Sequence, residues 1–417
     1  MAPMDGLGGG TAIRRWPQEG IGRIPNWVYT DPAIFAQELE RIFDGPSWLY
    51  TCLEAEIPNP GDFKRSRLGT REVVAVRGED GAVHVLVNRC AHRSMQVCSA
   101  NRGHVKEFMC PYHQWTYSLD GKLMGVPFRR GLKGQGGMPA DFRLEDRGLE
   151  SLAVTTRNGV VFASFDAPNE TIETYLGPKM LGYFDRVFSG RPLEVLGYWR
   201  QRIPSNWKLM MENIKDPYHA GLLHVFLITF GLFRLDQKSS TEIDDETGRH
   251  GVLVSRRDDT QATNEVAQLP QFRDKLTLAD PRLIDPVREF PGEPTVVMQT
   301  IWPNLIVQQQ SNAMAMRQIV PFDAGNFDLV WTVFGYADDA PEMRERRLRQ
   351  ANLFGPAGLV SIDDSEAMLL SQSGIAAGED RDCIVEMDGR EARDSHHMIT
   401  ECGIRGFYQH YRTVMGL

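Results

Sequence analysis

Two short motifs place a cysteine close to a histidine, and both residue types bind soft or borderline metals. A C-x-H motif at Cys90 and His92 is followed, after 17 residues, by a C-x-x-H motif at Cys110 and His113. Two thiolates and two imidazoles can hold either one tetrahedral zinc ion or a [2Fe–2S] cluster. The pattern therefore predicts a metal centre built from two loops.

The distribution of the four residues favours the cluster over zinc. Zinc ribbons usually pair cysteines as C-x-x-C, and zinc fingers group their histidines. Here each loop offers one of each type, as in a Rieske cluster, where the thiolates bind one iron and the imidazoles the other. Structural zinc stays open as the alternative. Cys98, His84 and His104 lie off the pattern, and we expect the first to be packed and the other two to face solvent.

A second set of possible metal ligands lies between Asn206 and His224. Asp216 and His219 are three residues apart, so a helix would place them on one face. His219 and His224 are five apart, about 140° around a regular helix, and cannot share one metal ion there. Because Pro217 indicates a break, we expect either a bulged helix or one that ends before His224.

Two histidines and one carboxylate form the facial triad of O₂-activating non-heme iron enzymes. The carboxylate must come from elsewhere in the chain, and Asp364 is the candidate, with Asp363 as its neighbour. A lone aspartate near a helix start is often only a cap, and histidines in an apolar helix are often only packed. The two motifs nevertheless support each other, because a cluster delivers single electrons and a ferrous triad consumes them.

The elements that must position these residues indicate an α+β protein in three segments. These segments are a lead-in over residues 1–45, an all-β segment over residues 46–165 and a mixed segment over residues 166–417. Strands are predicted over 72–77, 82–87, 160–164, 295–300, 305–310 and 327–334. Helices are predicted over 32–43, 172–188, 207–224 and 341–352. The polar stretch 236–265 is interpreted as a mobile loop or lid, or as an exposed hairpin.

Length and composition exclude several classes of protein. The 417 residues exceed what one hydrophobic core usually holds. A net charge of −9 argues against a nucleic-acid-binding face. The apolar stretches are too short to span a bilayer, and Arg14-Arg15 is followed by no secretory core, so we expect a cytoplasmic protein. Six cysteines are too sparse for a disulfide scaffold.

With both motifs in place, the sequence resembles the α subunits of Rieske aromatic-ring-hydroxylating oxygenases. C-x-H…C-x-x-H and D-x-x-H-x₄-H match without departure, and the resemblance extends from about Pro25 to the C-terminus. Four segments resemble the branch that acts on substituted benzoates, at 125–130, 136–139, 212–219 and 351–358. That branch includes salicylate 5-hydroxylase, salicylate 1-hydroxylase, anthranilate 1,2-dioxygenase and terephthalate dioxygenase.

The resemblance implies a Rieske β-domain followed by a helix-grip catalytic domain, with the lead-in helix packed on the latter. The cluster would be held by Cys90, His92, Cys110 and His113. The mononuclear Fe²⁺ would be held by His219, His224 and Asp364. Asp216 would connect His219 to a cluster histidine of a neighbouring subunit, His113 being the candidate.

Several partners are implied by the same resemblance. The large subunits would form a homotrimer, with a small β subunit in an α₃β₃ assembly. Electrons would come from NAD(P)H through a flavoprotein reductase and a ferredoxin. The reaction would use O₂ to hydroxylate a substituted benzoate: salicylate at position 5 or 1 first, then anthranilate, then terephthalate.

The substrate pocket is expected to be mostly apolar with a few polar anchors. Arg317, in a predicted strand, could bind a carboxylate through a bidentate pair or form a structural ion pair. Four residues flank the metal ligands as candidate pocket walls, or equally as core: Asn213, Ile214, Phe354 and Val360. The resemblance also implies that relatives using terephthalate need a second cationic anchor near the C-terminal segment. Here the segment 395–398 has no arginine before Arg405, and this favours a monocarboxylate.

Two other classes of protein would use only part of these residues. A Rieske-type electron carrier would need the cluster alone and would leave residues 166–417 unexplained. A structural zinc protein would need only the first motif. Brown colour with about one extra iron per cluster indicates the oxygenase, brown colour alone the carrier, and a colourless zinc protein the third.

Overall fold

The computed structural model describes residues 14–230, 232–256, 267–268, 276–292 and 295–417. The lead-in contains strand β1 (Arg23–Pro25) and helices α1 (Trp27–Thr30) and α2 (Pro32–Glu38), the last continued by a π-helical turn, Leu39–Phe43. The helix predicted over 32–43 is confirmed. Its start follows from local chemistry, because Pro32 occupies the first turn and the Asp31 carboxylate accepts a 2.8 Å hydrogen bond from the backbone of Ala33.

A buried carboxylate fastens this lead-in to the rest of the chain. Glu38 is fully buried and accepts hydrogen bonds from Trp207, Lys208 and Tyr411 at 2.6–2.8 Å. Because an unpaired buried charge is costly, these three contacts fix the lead-in against both the middle and the C-terminal end of the chain.

The next part of the chain is built from short antiparallel strands. They are β2 (Leu49–Leu53), β3 (Asp62–Leu68), β4 (Arg71–Arg77), β5 (Val83–Val87), β6 (Arg102–His104), β7 (Phe108–Met109), β8 (Thr116–Tyr117), β9 (Leu123–Gly125), β10 (Ala153–Arg157) and β11 (Val160–Ser164). Their sheets have the orders β5-β4-β3-β6, β7-β8-β9 and β10-β11-β2. The β7–β9 hairpins and the edge of the β3–β6 sheet enclose a small core of their own, which includes Phe63, Phe108, Trp115, Cys90 and Cys110.

The rest of the chain forms a large antiparallel sheet with helices. Its strands are β12 (Leu193–Ile203), β13 (Ser239–Ile243), β14 (Gly251–Ser255), β15 (Val296–Ile301), β16 (Leu305–Gln310), β17 (Ala313–Asp323) and β18 (Asn326–Tyr336). The helices are α3 (Ile172–Val187), α4 (Trp207–Lys215), α5 (Pro217–Leu223), α6 (Val225–Thr229), α7 (Pro341–Phe354), α8 (Leu359–Ala377) and α9 (Cys402–Met415). A short β19 (Asp382–Ile384) pairs with β1.

The sheet order is β12-β18-β17-β16-β15-β14-β13, and the helices α4, α5 and α8 cover one face. On this face the register sets Met298 opposite Gln308, and Arg317 opposite Trp331. The α+β class with an all-β N-terminal domain is confirmed. None of the described helices is both long and apolar enough to cross a membrane, and the expected cytoplasmic location stays a prediction.

One expectation from the sequence is only partly correct in its described part. The stretch interpreted as a mobile loop or lid, or as an exposed hairpin, contains the antiparallel hairpin of β13 and β14, but this hairpin joins the large sheet and is mostly buried. Its polar residues concealed the strands, because Asp244 accepts hydrogen bonds from the backbone of Thr247 and His250 at the turn. Residues 257–265 of that expectation lie outside the described residues.

Three smaller expectations can also be compared with the structure. Cys98 is buried, as expected. His104 is exposed beside Asp62, as expected. His84 is only partly exposed and lies 3.7 Å from Asp80, so it is not fully solvent-facing.

Candidate active site

The two cysteine–histidine loops have the same backbone design. Cys90 follows β5 and Cys110 follows β7. In each loop the residue four positions after the cysteine, Ser94 or Gln114, has a positive φ and donates its backbone N–H to the cysteine carbonyl, at 3.0 and 2.8 Å. The cysteine N–H in turn donates to the residue five positions on, at 2.8 and 2.9 Å. These matching turns explain why two such loops present their side chains to one point.

The four loop side chains divide by exposure. The thiols of Cys90 and Cys110 are buried, whereas the rings of His92 and His113 lie nearer the surface, with centroids 4.5 Å apart. A metal centre held here would therefore have a buried cysteine side and an accessible histidine side.

Two aromatic residues support the loops. The indole of Trp115 stacks on the ring of His92, with centroids 4.8 Å apart and planes within 5°. The hydroxyl of Tyr117 lies 3.1 Å from Cys90 Sγ and accepts a 3.1 Å hydrogen bond from the Ala91 backbone. Such outer contacts orient ligands and tune a metal centre.

The second ligand set is created by a break in the helix. After α4 ends at Lys215, Asp216 is extended (φ −104°, ψ 94°), and its Oδ1 accepts hydrogen bonds from the backbone of Tyr218 at 2.8 Å and His219 at 3.2 Å. Asp216 is thus the N-cap of α5. His224 lies beyond the end of α5 (φ −81°, ψ 71°), which confirms the second of the two expected solutions.

This geometry brings three side chains together. His219 Nε2 lies 3.4 Å and His224 Nε2 3.3 Å from Asp364 Oδ1. Asp364 is buried within α8 and is not the helix cap. The neighbouring Asp363 instead lies 3.3 Å from His224 Nδ1, on the far side of that ring. Of the two aspartates, Asp364 therefore faces both histidines.

Asp216 contacts the group from behind His219, and Asn213 contacts it on the side where the three side chains meet. His219 Nδ1 lies 3.4 Å from Asp216 Oδ2. Asn213 Nδ2 donates a 3.0 Å hydrogen bond to Asp364 Oδ1. Carboxylates placed behind imidazoles fix the tautomer in which Nε2 is free to bind a metal.

The electrostatics of the site favour a positive charge. Burial raises the pKa of Asp364, but hydrogen bonds from His219 and His224 outweigh it and the net pKa is lowered, so the carboxylate stays ionised. Burial lowers the pKa of His219, but its contacts with Asp216 and Asp364 raise the net value to about 10. A divalent cation supplies the positive charge that such a set stabilises.

The donor sets fit one mononuclear ion and one extended cluster. Among the described residues, His219, His224 and Asp364 are the only three or more His, Cys, Asp or Glu side chains whose ligand atoms all lie within 4.8 Å of one another. The four loop side chains comprise two buried cysteines and two more exposed histidines, one of each from each loop. That donor set is the one a [2Fe–2S] cluster with two thiolate and two imidazole ligands requires.

A cavity between the helices and the sheet opens onto the three ligands. All five residues proposed as pocket walls or anchor line it: Asn213, Ile214, Arg317, Phe354 and Val360. The sequence reasoning missed its sheet side, which includes Leu253, Val296, Met298, Gln308 and Gln310. The one available signal was the run of three glutamines at 308–310 in an otherwise apolar strand.

Arg317 is a buried cation held by neutral groups. It is 3% exposed, and in the described part of the chain it forms no ion pair within 4.0 Å. Its Nη1 donates to Gln308 Oε1 at 3.3 Å, and its guanidinium carbon lies 4.3 Å from the Trp331 ring centroid. Burial lowers its pKa to about 10 although Asp364 raises it. The structural ion pair considered for Arg317 is therefore absent among the described residues.

Arg317 has no second lysine or arginine beside it at the cavity among the described residues. Arg317 is the one Lys or Arg among the described residues that line it. Arg405, the next arginine after the segment 395–398, is buried elsewhere and donates to the backbone carbonyls of Val385, Met387 and Glu391. Arg405 therefore has a structural role.

Comparison with known proteins agrees with both the cysteine–histidine loops and the second site at the cavity. Residues 47–135 match the family model described as Rieske [2Fe-2S] domain, and residues 191–417 match the model described as ring hydroxylating alpha subunit (catalytic domain). The chain belongs to the Rieske ring-hydroxylating oxygenases. It is a large subunit, with the cluster domain and the non-heme iron catalytic domain of that family.

Curated relatives of this oxygenase cover almost its whole length. It is 52% identical to the large oxygenase component of salicylate 5-hydroxylase from Ralstonia sp., over 96% of each chain. It is 43% identical to the large subunit of anthranilate 1,2-dioxygenase from Burkholderia cepacia, over 96% of this chain and 95% of that one. It is 40% identical to the alpha 2 subunit of terephthalate 1,2-dioxygenase from Comamonas sp., over 97% and 98%.

A solved structure supports the fold of the oxygenase. Naphthalene 1,2-dioxygenase from Rhodococcus sp. superposes with a TM-score of 0.78 over 94% of both chains, at 23% identity. Oxygenases of this family work with electron-donating partners, a reductase and a ferredoxin.

Proposed function

We propose that this oxygenase hydroxylates an aromatic monocarboxylic acid, with salicylate as the first candidate. The observation that carries the proposal is Arg317, a buried guanidinium at the cavity without an ion pair in the described part of the chain. A buried charge of this kind requires compensation, and a substrate carboxylate supplies it through paired hydrogen bonds. The 52% identity with a salicylate 5-hydroxylase component supports the same substrate class.

The cavity favours one carboxylate over two. A dicarboxylate such as terephthalate would place its second carboxylate against mostly apolar walls, because Arg317 is the one Lys or Arg among the described residues there. Anthranilate carries a single carboxylate and is the second candidate, supported by 43% identity with an anthranilate 1,2-dioxygenase subunit. Oxidation at position 5 or position 1 of salicylate remains the choice to be tested.

We assign one function to each of the two large segments of the chain. Residues 46–165 form the cluster domain and residues 166–417 the catalytic domain, against which the lead-in packs. The cluster would be held by Cys90, His92, Cys110 and His113, and the ferrous ion by His219, His224 and Asp364. When bound, the cluster would store and deliver single electrons, and the ferrous ion would activate O₂.

The protein's own residues bind and orient the substrate. Arg317 binds the carboxylate, while Gln308 and Trp331 hold the guanidinium in place. The apolar walls exclude water from the aromatic ring of the substrate; they include Val296 and Phe354. Asn213, which is hydrogen-bonded to Asp364, orients the edge of the substrate ring that faces the proposed metal ligands.

Asp216 is proposed to couple the two centres. Its Oδ1 caps α5 and its Oδ2 faces His219, so the same side chain shapes the helix and orients the ligand. Its side chain is 21% exposed, which leaves it reachable by His113 of a neighbouring large subunit. This role requires the homotrimer, in an α₃β₃ assembly with a small subunit.

Product analysis tests the proposed function. The purified oxygenase, supplied with NADH, a reductase, a ferredoxin and ¹⁸O₂, is offered salicylate, anthranilate, benzoate, terephthalate and naphthalene. We expect labelled 2,5-dihydroxybenzoate from 5-hydroxylation, or catechol with release of CO₂ from 1-hydroxylation. Turnover of naphthalene or terephthalate, with none of the monocarboxylates, would contradict the proposal.

A further inference from the structure

A wide cleft separates the cluster domain from the large sheet on the face opposite the substrate cavity. Its walls are β3 and β6 on one side and the strands β12, β17 and β18 on the other. Tyr198, Arg200 and Arg202 alternate along β12 and face the cleft, whereas Gln201 faces inward and accepts hydrogen bonds from Trp331 and Ser361. The cleft is thus separate from the catalytic cavity by the thickness of the sheet.

The cleft is strongly basic in a chain of net charge −9. Six cations line it: Lys64, Arg65, Arg67, Arg102, Arg200 and Arg202. Only three carboxylates line it among the described residues: Glu56, Glu72 and Asp328. Glu72 contacts both Arg65 and Arg67, and Asp328 contacts both Arg200 and Arg202, so each is shared. An excess of three positive charges remains.

The cations are also held in place by aromatic rings. The guanidinium carbons of Arg67 and Arg202 lie 4.6 and 3.9 Å from the Phe322 ring centroid. Arg102 lies 5.5 Å from the Tyr198 ring centroid and has no ion pair within 4.0 Å in the described part of the chain. Arg200 is 66% exposed. Ring contacts thus position three of the six cations, and Arg200 adds an accessible charge beside them.

The cleft lies on the cysteine side of the cluster loops. In β3, Lys64 lines the cleft, and its neighbour Phe63 is buried in the small core. There Phe63 packs edge-on against Phe108 at 6.0 Å, two residues before Cys110. A protein seated in the cleft would approach the cluster from behind. The accessible side of His92 and His113 would remain free for the catalytic centre of a neighbouring subunit.

We propose that this basic cleft, defined by the six cations above, is the docking site of an acidic electron-transfer protein. Charge complementarity selects the partner: a protein with a negative surface gains steering and orientation from an ordered positive cleft. One electron leaves the reduced iron–sulfur centre of that donor, which is oxidised, and reduces the [2Fe–2S] cluster of this chain. No proton or other reactant is needed for the balance. The proposal rests on the family of the chain and not on the identity of its substrate.

The test uses the complete oxygenase and a double variant, Arg102→Glu with Arg200→Glu. Both side chains are exposed, so the fold should tolerate the change. The matched control is Arg143→Glu, an exposed arginine that follows the cluster loops but lies outside the cleft. Stopped-flow absorbance measures cluster reduction by a photoreduced, acidic [2Fe–2S] ferredoxin at low and high salt, without substrate.

We expect the second-order rate constant of reduction to fall by about tenfold or more in the double variant at low salt, and less at high salt. The control should stay within about twofold of the wild type. Reduction by dithionite, the EPR spectrum and the midpoint potential of the cluster should be unchanged in all three proteins. This pattern excludes a change in driving force as the cause.

Two outcomes would overturn the proposal. One is a ferredoxin reduction rate in the double variant equal to that of the control. The other is a changed elution volume of the double variant, which would assign the cleft to a contact between oxygenase subunits. Neither result depends on which aromatic acid is the substrate, so a failure of the proposed function would be seen separately.

Discussion

Arg317 and Trp331 occupy directly paired positions on β17 and β18, and the guanidinium carbon lies 4.3 Å from the indole ring centroid. The pairing places a cation on the rigid middle of the sheet, where Gln308 accepts one of its hydrogen bonds. Its position is therefore set by strand register and not by a flexible loop. That arrangement suits an anchor that must hold one end of a small ring while the other end reacts.

Arg317→Met should raise KM for the aromatic acid by about 10- to 100-fold, because a charged hydrogen bond contributes about 1.5–3 kcal/mol. Cluster content and mononuclear iron should be unchanged. Steady-state kinetics with salicylate, beside an uncharged phenol of similar size, measures the effect. An unchanged KM for the acid, or an equal loss for the phenol, would remove Arg317 as the carboxylate anchor.

Asp364→Ala should abolish mononuclear iron binding and leave the cluster intact. The matched control is Asp363→Ala, which removes only the contact behind His224 and should weaken iron binding by about 10- to 100-fold. Iron and acid-labile sulfide analysis, together with titration of Fe²⁺ into the apo-site, distinguishes the two. Normal iron content in Asp364→Ala, with loss in Asp363→Ala, would reverse the assignment.

Asp216→Asn should retain both metal centres and lose turnover. The amide still caps α5 through its oxygen, but it no longer holds the negative charge beside His219. Reduction of the cluster by ferredoxin should proceed at the wild-type rate, whereas product formation from the reduced enzyme should fall by at least about 100-fold. Product formation near the wild-type rate would contradict the proposed route between subunits.

Glu212 should make stability depend on pH. Burial raises its pKa from 4.5 to about 7, against hydrogen bonds from Tyr408 and Tyr29 that lower it. Because the folded pKa exceeds the unfolded one, the stabilisation is complete below about pH 4.5 and is lost as the pH rises through 7. Glu212→Gln should lack this loss and gain on the order of 1–3 kcal/mol relative to the wild type between pH 5 and 8.

Thermal unfolding of both proteins across that range measures the difference. Groups that titrate in both proteins, such as Lys215, cancel in the comparison. Parallel curves of Tm against pH would show that Glu212 does not titrate in this window.

The relative positions of the proposed ligands could be predicted from the sequence because their geometry is local. The two cysteine loops are short turns. Pro217 indicated a helix break, and the spacing of five residues indicated that His219 and His224 could not bind one ion on a regular helix. Asp364 was harder, since only the tertiary packing of α8 separates it from Asp363.

The sheet side of the cavity could not be predicted in the same way. Gln308 meets Arg317 only through the register of β16 and β17, which no single segment encodes. The hairpin of β13 and β14 was concealed by polar residues that are satisfied inside the fold. Glu38 likewise looks like an ordinary helix residue, and only distant contacts with Lys208 and Tyr411 reveal its burial.

The proposed metal ligands come from α5, the turn at His224 and α8, whereas Arg317 and Gln308 come from the sheet. Enzyme redesign can exploit this separation. A library confined to β15, β16 and β17 would vary which aromatic compounds are accepted while leaving untouched the helices that carry the proposed iron ligands. Variants from such a library would retain the type of reaction and differ in substrate range.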